Sequence, residues 1–376
     1  MLRIAAPVVL LAILLFGPAE VLADQEIPLG RLNWGATASG EAWTASLIQA
    51  HLPAPDDEVG TTTVQILKQA EATIQQPVQA VPAFHQQSVL FTQPEYQASH
   101  AAAAQLEHAV YPWAMCARVA APPLSDSCRT RAAEAIQAWV GTYKATGAPV
   151  DEANLLPLFQ SVDLMLPLLP ADQQTATLIW LHGVIQQNDA YYAGVPSKST
   201  SKTNNHASWG FSLRAIESAV YGDPTEQAAS QQLLAQQIAR NIKPDSSTLD
   251  FGERDALHYQ AYDLEPLLDA LLLAPGAVDA GSEAAILRGI QFLQPFVSGQ
   301  QQHLEFVGSK VPFDAQRRQA GDATFANAPW QPADAGRLLL LAQAHFPAVR
   351  DWAGPAVQAE TDPRLRQLAA LQRVLS

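Results

Sequence analysis

Residues 256–276 read ALHYQAYDLEPLLDALLLAPG, a run that places apolar side chains at helical spacing and then stops at a proline and a glycine. Apolar residues that recur every three or four positions predict an amphipathic α-helix, here over Ala256–Leu273. The same alternation of helix and short breaker returns along most of the chain. The other clear helices are predicted over Ala101–Val110, Arg129–Lys144, Thr175–Gln187, Ser212–Val220, Gln227–Asn241, Glu283–Phe296 and Asp334–His345.

The composition supports an all-α fold. Alanine, leucine and glutamine dominate, β-branched runs are rare, and 48% of the residues are hydrophobic, which is enough for a substantial core. Helices separated by short breakers are typical of antiparallel helical hairpins, and the pattern is compatible with a toroid of such hairpins. We expect a single helical domain over residues 61–376, preceded by an irregular segment over 24–60. Within the domain, residues 303–333 are the longest stretch without periodicity.

The first 23 residues have the pattern of a secretory signal peptide. Arg3 supplies a small positive charge, and Val8–Phe16 is an apolar run of nine residues that Pro18 ends. This run is too short to span a bilayer, and Val21-Leu22-Ala23 fits the small-residue cleavage pattern. We therefore expect a mature chain that starts at Asp24 and is exported to a periplasm or beyond, without membrane insertion.

The chain contains two cysteines, Cys116 and Cys128. A close pair in an oxidising compartment is more often bridged than free, so we predict a disulfide between them. The pair lacks the CxxC spacing of redox enzymes, which disfavours a catalytic thiol.

The formal net charge is −14 at pH 7. An acidic chain binds nucleic acid and anionic membranes poorly, so neither is expected as a partner. An acidic substrate would require a local basic cleft against this global charge. Lys310, Arg317 and Arg318 form a cationic cluster within the non-periodic stretch that fits this requirement. We expect a monomer.

Two polar segments about fifty residues apart concentrate reactive groups. They are Lys202-Thr203-Asn204-Asn205-His206-Ala207-Ser208-Trp209 and Arg254-Asp255-Ala256-Leu257-His258-Tyr259-Gln260-Ala261-Tyr262. Together they provide amides, imidazoles, phenols and a guanidinium. An enzyme can use these groups, without a cofactor, to remove the proton beside a carboxylate and expel a glycosidic oxygen.

The residue types suit the steps of β-elimination from a 4-linked uronate. The C5 proton is weakly acidic, so the neighbouring carboxylate must be neutralised or hydrogen-bonded. Asn205 suits this task as a neutral donor, and an arginine would perform it more strongly. His206 suits the base, and a tyrosine such as Tyr259 beside a cation suits the acid, the base or both. Trp209 offers a flat face for a sugar ring.

Each of these residues also has a purely structural interpretation. Asn205 fits the N-cap of the helix that contains Ser212–Val220. Tyr259 and Tyr262 are three residues apart on one helix face, as core aromatics often are. Arg254 fits a surface ion pair.

Other catalytic classes match the sequence less well. It contains no HExxH, clustered cysteines, GxSxG, phosphate loop or GxGxxG, so no metal or cofactor is predicted. The paired carboxylates of a glycoside hydrolase stay open, since acids surround the second segment. These acids are Asp250, Glu253, Asp255, Asp263 and Glu265.

The two segments resemble motifs of the bacterial periplasmic alginate lyase superfamily. Asn204–Trp209 matches an Asn-Asn-His-x-x-Trp motif, and Ala256–Leu267 fits an Ala-Leu-x-Tyr-x-x-Tyr-x-Leu-x-Pro-Leu pattern. The resemblance covers roughly residues 90–345. It implies an all-α fold, the (α/α) toroid of antiparallel hairpins. It also implies that Asn205 neutralises the carboxylate, His206 is the base and Tyr259 is the acid or a second base.

One position departs from the family pattern. The family's arginine precedes the tyrosine by seven residues, where Gly252 stands here, and the nearest arginine is Arg254. Five residues on a continuous helix would turn Arg254 about 140° away from Tyr259. We therefore predict that Arg254 acts from a loop just before the helix of Tyr259. The alternative cations are Lys202, Arg317 and Arg318.

The sequence thus predicts a polysaccharide lyase that cleaves alginate or a related polyuronate by β-elimination. The predicted catalytic residues are Asn205, His206, Arg254 and Tyr259. The predicted substrate-binding residues are Asn204, Trp209, Lys202, Tyr262, Arg317 and Arg318. The alternatives are a non-catalytic periplasmic carbohydrate-binding or exopolysaccharide-export factor and a helical-toroid glycoside hydrolase.

Overall fold

The computed structural model describes residues 31, 32, 48 and 57–375, so the predicted signal peptide and most of the irregular segment lie outside the described residues. The described part is helical, with one isolated β-bridge between Leu304 and Pro329. The helices are α1 (Glu58–Thr73), α2 (Pro94–Gln105), α3 (Tyr111–Val119), α4 (Leu124–Thr142), α5 (Pro149–Glu152), α6 (Leu156–Met165), α7 (Ala171–Gly194), α8 (Asn205–Tyr221), α9 (Pro224–Asn241), α10 (Leu249–Arg254), α11 (Leu257–Leu273), α12 (Ala280–Gln291), α13 (Gln294–Val297), α14 (Pro312–Gln319), α15 (Gly336–His345), α16 (Pro347–Val357) and α17 (Pro363–Leu375).

The inner helices close into a ring. Helix α3 packs on α6, α6 on α8, α8 on α11, α11 on α15 and α15 on α17. The ring is completed because α17 packs on α1 and α1 packs on α3. Outer helices cover this ring, with α4 on α3, α9 on α8, α12 on α11 and α16 on α15. The predicted all-α toroid of helical hairpins is confirmed.

The inner helices are buried on nearly all sides, whereas the outer helices are buried on one side. Every residue of α6 is buried, and so are most residues of α8, because these helices have neighbours on all sides. The outer helix α9 buries a single stripe, at Ser230, Leu234, Gln237, Ile238 and Asn241. A helix with one apolar or neutral stripe buries that side against the ring and leaves its charged side in water.

Capping residues and breakers set the helix boundaries. Asp57 accepts hydrogen bonds from the backbone at the start of α1, and Asp223 does the same for α9, where Pro224 occupies the first turn. Helix α8 ends at Gly222, whose φ of 83° is a left-handed conformation that glycine adopts without strain. The breakers seen in the sequence therefore end the helices in the structure.

The predicted helices are all present, most of them longer than predicted. The prediction over Thr175–Gln187, for example, lies within α7. The predicted Glu283–Phe296 helix is broken after Gln291, and α13 follows. The stretch 303–333, which lacks periodicity, contains the short helix α14. None of the described helices combines the length and apolar character that a membrane span requires.

The predicted disulfide is confirmed. Cys116 in α3 and Cys128 in α4 are bridged, with 5.8 Å between their Cα atoms, and both residues are completely buried. The bridge therefore ties an inner helix to its outer partner across the loop between them.

Removing the bridge is expected to destabilise the fold. A closed loop of this size contributes roughly 3 kcal/mol to the free energy of unfolding. The Cys116→Ala/Cys128→Ala double variant should show a lower Tm than the wild type in non-reducing buffer. A reductant should lower the Tm of the wild type and leave that of the double variant unchanged. Equal Tm values for both proteins without reductant would contradict this prediction.

Candidate active site

A cleft of about 510 Å³ opens where α8 and α11 begin. Both helices belong to the inner ring, so their first turns lie at the same end of the toroid. Six residues from the predicted site line the cleft: Asn205, His206, Arg254, Tyr259, Tyr262 and Arg317. The structure therefore brings the two polar segments together with the cationic cluster of the non-periodic stretch.

The first turn of α8 fixes the orientation of Asn205 and His206. Asn204 is the N-cap, and its side chain accepts a hydrogen bond of 3.2 Å from the backbone N–H of His206. The interpretation of Asn205 as the cap is therefore wrong by one residue, because Asn204 has the extended backbone that a cap requires. Asn205 is the first helical residue, is buried, and contributes to the lining of the cleft.

The Asn205 side chain is held from behind by a carboxylate. Its Nδ2 donates to Oδ1 of Asp250 at 2.5 Å, and its backbone N–H donates to Oδ2 of the same residue at 2.5 Å. Asp250 is completely buried. Since an amide nitrogen carries two hydrogens, one N–H of Asn205 is left for a ligand in the cleft.

His206 is neutral at physiological pH. Burial lowers the pKa of its imidazole to about 4, and the positive charges of Arg254 and Arg317 contribute to the shift. Nδ1 is buried and has no hydrogen-bond partner among the described residues. A neutral imidazole in a cleft can accept a proton, which is what a general base requires.

Arg254 and Tyr259 come from separate helices. Helix α10 ends at Arg254, Asp255 has a φ of 49°, and α11 begins at Leu257. This break removes the angular restriction of a continuous helix, and the guanidinium carbon of Arg254 lies 3.9 Å from the centroid of the Tyr259 ring. Arg254 thus approaches Tyr259 as predicted, from the end of a short helix rather than from a loop.

The charge of Arg254 is compensated by two buried carboxylates. Its Nη1 donates to Asp314, and its Nε lies 3.5 Å from Oδ1 of Asp250. Both aspartates are completely buried. These carboxylates offset part of the charge of Arg254, which still acts on His206 and Tyr259.

Arg317 is the cation whose charge is uncompensated in the described part of the cleft. Its Nη1 donates to the hydroxyl of Tyr259 at 3.4 Å. The guanidinium lies 4.6 Å from the ring centroids of both Phe313 and Phe325, which hold it without neutralising it. No ion pair joins Arg317 to a carboxylate within the described residues.

Tyr259 keeps its proton at neutral pH. Burial raises the pKa of the phenol, while Arg254 and Arg317 act in the opposite direction. The two guanidinium groups therefore stabilise a phenolate that forms transiently, as a proton donor to a leaving group requires.

Other predicted site residues lie outside this cleft. Trp209 is buried, packs against Tyr262 with ring centroids 5.3 Å apart, and lines a neighbouring cavity of about 340 Å³. Lys202 lies in a 3-10 turn (Thr200–Lys202) and does not line the cleft. Arg318 donates to the carbonyl of Phe325 at 3.4 Å and is also absent from the lining.

His258 also lines the cleft, although the sequence predicts no role for it. Its ring stacks on that of Tyr262 at 6.1 Å, and burial lowers its pKa to about 4. The spacing of four residues between His258 and Tyr262 could have indicated that His258 lies in the cleft, because it places both side chains on one helix face. Gln86 and Gln87, from the segment before α2, also line the cleft, and no motif marked them.

The helical ring is the fold of the toroid class of polysaccharide lyases. The sequence matches the alginate lyase family over residues 55–303, more than half of the chain, and the protein therefore belongs to that family.

The fold is similar to that of alginate lyase A1-III, solved as a histidine-to-alanine variant complexed with a tetrasaccharide. The TM-score is 0.52 and the sequence identity is 16%, covering 86% of this chain and 91% of that chain. At this identity the likeness concerns the fold. No curated protein matches the sequence.

Proposed function

We propose that the protein cleaves alginate, or a related 4-linked polyuronate, by β-elimination, with its site in the cleft between α8 and α11. The observation that carries this proposal is the contact of Arg317 with the Tyr259 hydroxyl in a cleft that also contains a neutral His206. Membership of the alginate lyase family supports the same reaction.

The residues divide the reaction as follows. Asn205 and Arg317 bind the uronate carboxylate and stabilise the charge that develops when C5 loses its proton. His206 takes that proton, and Tyr259 donates its own proton to O4 as the C4–O4 bond breaks. A C4–C5 double bond forms on one product, the other product ends in a hydroxyl, and water resets the two protonation states.

A glycoside hydrolase is disfavoured by the positions of the carboxylates. A hydrolase of that kind needs two carboxyl groups flanking the scissile bond. Asp322 is the single carboxylate among the described residues that line the cleft. Asp250 and Asp263 are completely buried, and Glu265 lies beside Arg337.

A product assay separates the three candidate functions. Purified protein is incubated with a panel of polyuronates, and absorbance in the ultraviolet and reducing ends are both measured. A lyase generates an unsaturated uronate that absorbs, and a hydrolase generates reducing ends without absorbance. Binding without either product would support the non-catalytic carbohydrate-binding function and overturn the proposal.

The pH dependence of kcat/KM should reflect His206 and Tyr259. Because the pKa of His206 is lowered to about 4, the base is neutral from there upward and is lost as the pH falls through about 4. Because the pKa of Tyr259 is raised, the acid is lost only above its usual value of about 10. A pH–rate profile should thus be flat through neutrality. An acidic limb centred near about 6.5 would contradict a desolvated histidine base.

We further propose that the protein is exported. The N-terminal signal pattern and the buried disulfide both suit an oxidising compartment outside the cytoplasm. N-terminal sequencing of protein recovered from the periplasm or medium should start at Asp24. Recovery of the intact chain only from the cytoplasm would refute this proposal.

A further inference from the structure

A buried hydrogen-bond network beneath the cleft joins the two polar segments. Asp250 accepts both the backbone and the side-chain N–H of Asn205, and it lies beside the Nε of Arg254. It therefore contacts one candidate residue from each segment. Asp250 itself does not line the cleft.

A second buried acid stands behind Asp250. The two carboxyl groups interact, and the charge of Asp250 raises the pKa of Asp263. Oδ1 of Asp263 accepts from Nδ2 of Asn241 at 2.7 Å, whereas Oδ2 has no donor among the described residues. A buried carboxyl oxygen without a donor favours the neutral acid over the carboxylate.

The surroundings decide which member of the pair is charged. Burial raises the pKa of Asp250, while the two N–H groups of Asn205 and the charge of Arg254 act in the opposite direction and stabilise its carboxylate. Asp263 is completely buried, and burial together with the charge of Asp250 raises its pKa well above the usual range. Of the two, Asp250 is therefore better stabilised as a carboxylate, and Asp263 is better stabilised as the neutral acid.

We propose that Asp250 is the positioning residue of this site: its carboxylate fixes the Asn205 amide with the nitrogen, rather than the oxygen, available to the uronate carboxylate. An amide can rotate by half a turn with little change of shape, and the rotated form would present Oδ1 to a negative group. The Asp250 carboxylate excludes that form because two acceptors would then face each other. This inference rests on the proposed function, in which Asn205 binds the substrate carboxylate.

The network predicts an asymmetry between two isosteric substitutions. In Asp263→Asn, the new amide oxygen can still accept from Asn241, and the Asp250 carboxylate that holds Asn205 is unchanged. In Asp250→Asn, half of the acceptor capacity that holds Asn205 becomes a donor. Both positions are completely buried, which makes Asp263→Asn a matched control for burial and size.

The test is a comparison of steady-state kinetics on the polyuronate that the wild type cleaves best. Asp250→Asn should lower kcat/KM by about a hundredfold, as small misplacements of a binding group do. Asp263→Asn should lower it at least tenfold less. In an Asn205→Ala background, Asp250→Asn should cause little further loss, because its effect is exerted through Asn205. Equal losses for both aspartate variants, or full additivity with Asn205→Ala, would overturn the proposal.

A crystal structure of the Asp250→Asn protein supplies a readout that does not depend on activity. The Asn205 amide should be rotated or displaced from its wild-type position. If the amide is unchanged there, the inference fails even when the wild type is an active lyase. If the wild type cleaves no polyuronate, the proposed function fails, and the amide orientation in the variant still decides the role of Asp250.

Discussion

His206→Ala is expected to lower kcat by a factor of about 10²–10⁴ while the protein remains folded. The imidazole lies in the cleft, and burial and two arginines keep its pKa at about 4, so it is a neutral base throughout the physiological range. Its side chain makes no hydrogen bond from Nδ1 within the described residues, so little stability should be lost with it. Initial rates and thermal unfolding of the variant measure the two effects separately.

The second histidine of the cleft makes this test specific. His258 has the same lowered pKa of about 4 and lines the same cleft, so a pH profile cannot distinguish the two. His258→Ala is therefore the companion variant. Near-normal turnover in His206→Ala together with a large loss in His258→Ala would transfer the base to His258 and end the assignment to His206.

Arg317→Ala should lower kcat/KM by about a hundredfold, corresponding to roughly 3 kcal/mol of lost transition-state binding. Arg317 is the uncompensated cation of the described cleft and donates to the Tyr259 hydroxyl. Arg318 is the matched control, because it is the next residue on the same helix and bonds to a backbone carbonyl instead. Arg318→Ala should leave kinetics near those of the wild type. The reverse order of effects would show that the cation is misassigned.

Arg254→Ala should act mainly on stability. It removes the partner of two buried carboxylates, and breaking a buried ion pair costs about 3–5 kcal/mol. Chemical denaturation should reveal this loss, whereas Arg317→Ala should unfold like the wild type. A stable Arg254→Ala protein without activity would instead support the sequence-based prediction that Arg254 neutralises the substrate.

The fold could be predicted from the sequence because its signals are local. Helical periodicity and the prolines and glycines between helices decide where helices form, as the prediction over Ala256–Leu273 and the observed α11 show. Closure of the ring depends on α17 packing against α1, a contact between distant parts of the chain. Periodicity carries no information about such a contact, so the toroid was implied by the motif resemblance instead.

Six of the ten predicted site residues line one cleft, whereas their individual roles could not be predicted from the sequence. The two motifs identified residues that do converge, because their helices start side by side. The different roles of Arg254 and Arg317 could not be predicted from the sequence. They depend on Asp314, which forms an ion pair with Arg254 although it lies sixty residues later in the chain. Likewise, Asn204 and Asn205 are equally suitable N-caps by residue type. Asn204 is the cap because its backbone is extended, which the sequence does not show.

The left-handed turn at Asp255 has a consequence for how relatives of this protein are compared. Gly252 is exposed and does not line the cleft, and a Cβ at this position would meet Nζ of Lys243 at 2.5 Å. Because α10 and α11 are separate helices joined by this turn, helical periodicity does not determine the position of Arg254 relative to Tyr259. An alignment that counts residues back from the tyrosine will therefore mark this chain as lacking its arginine, although a guanidinium stands over the ring.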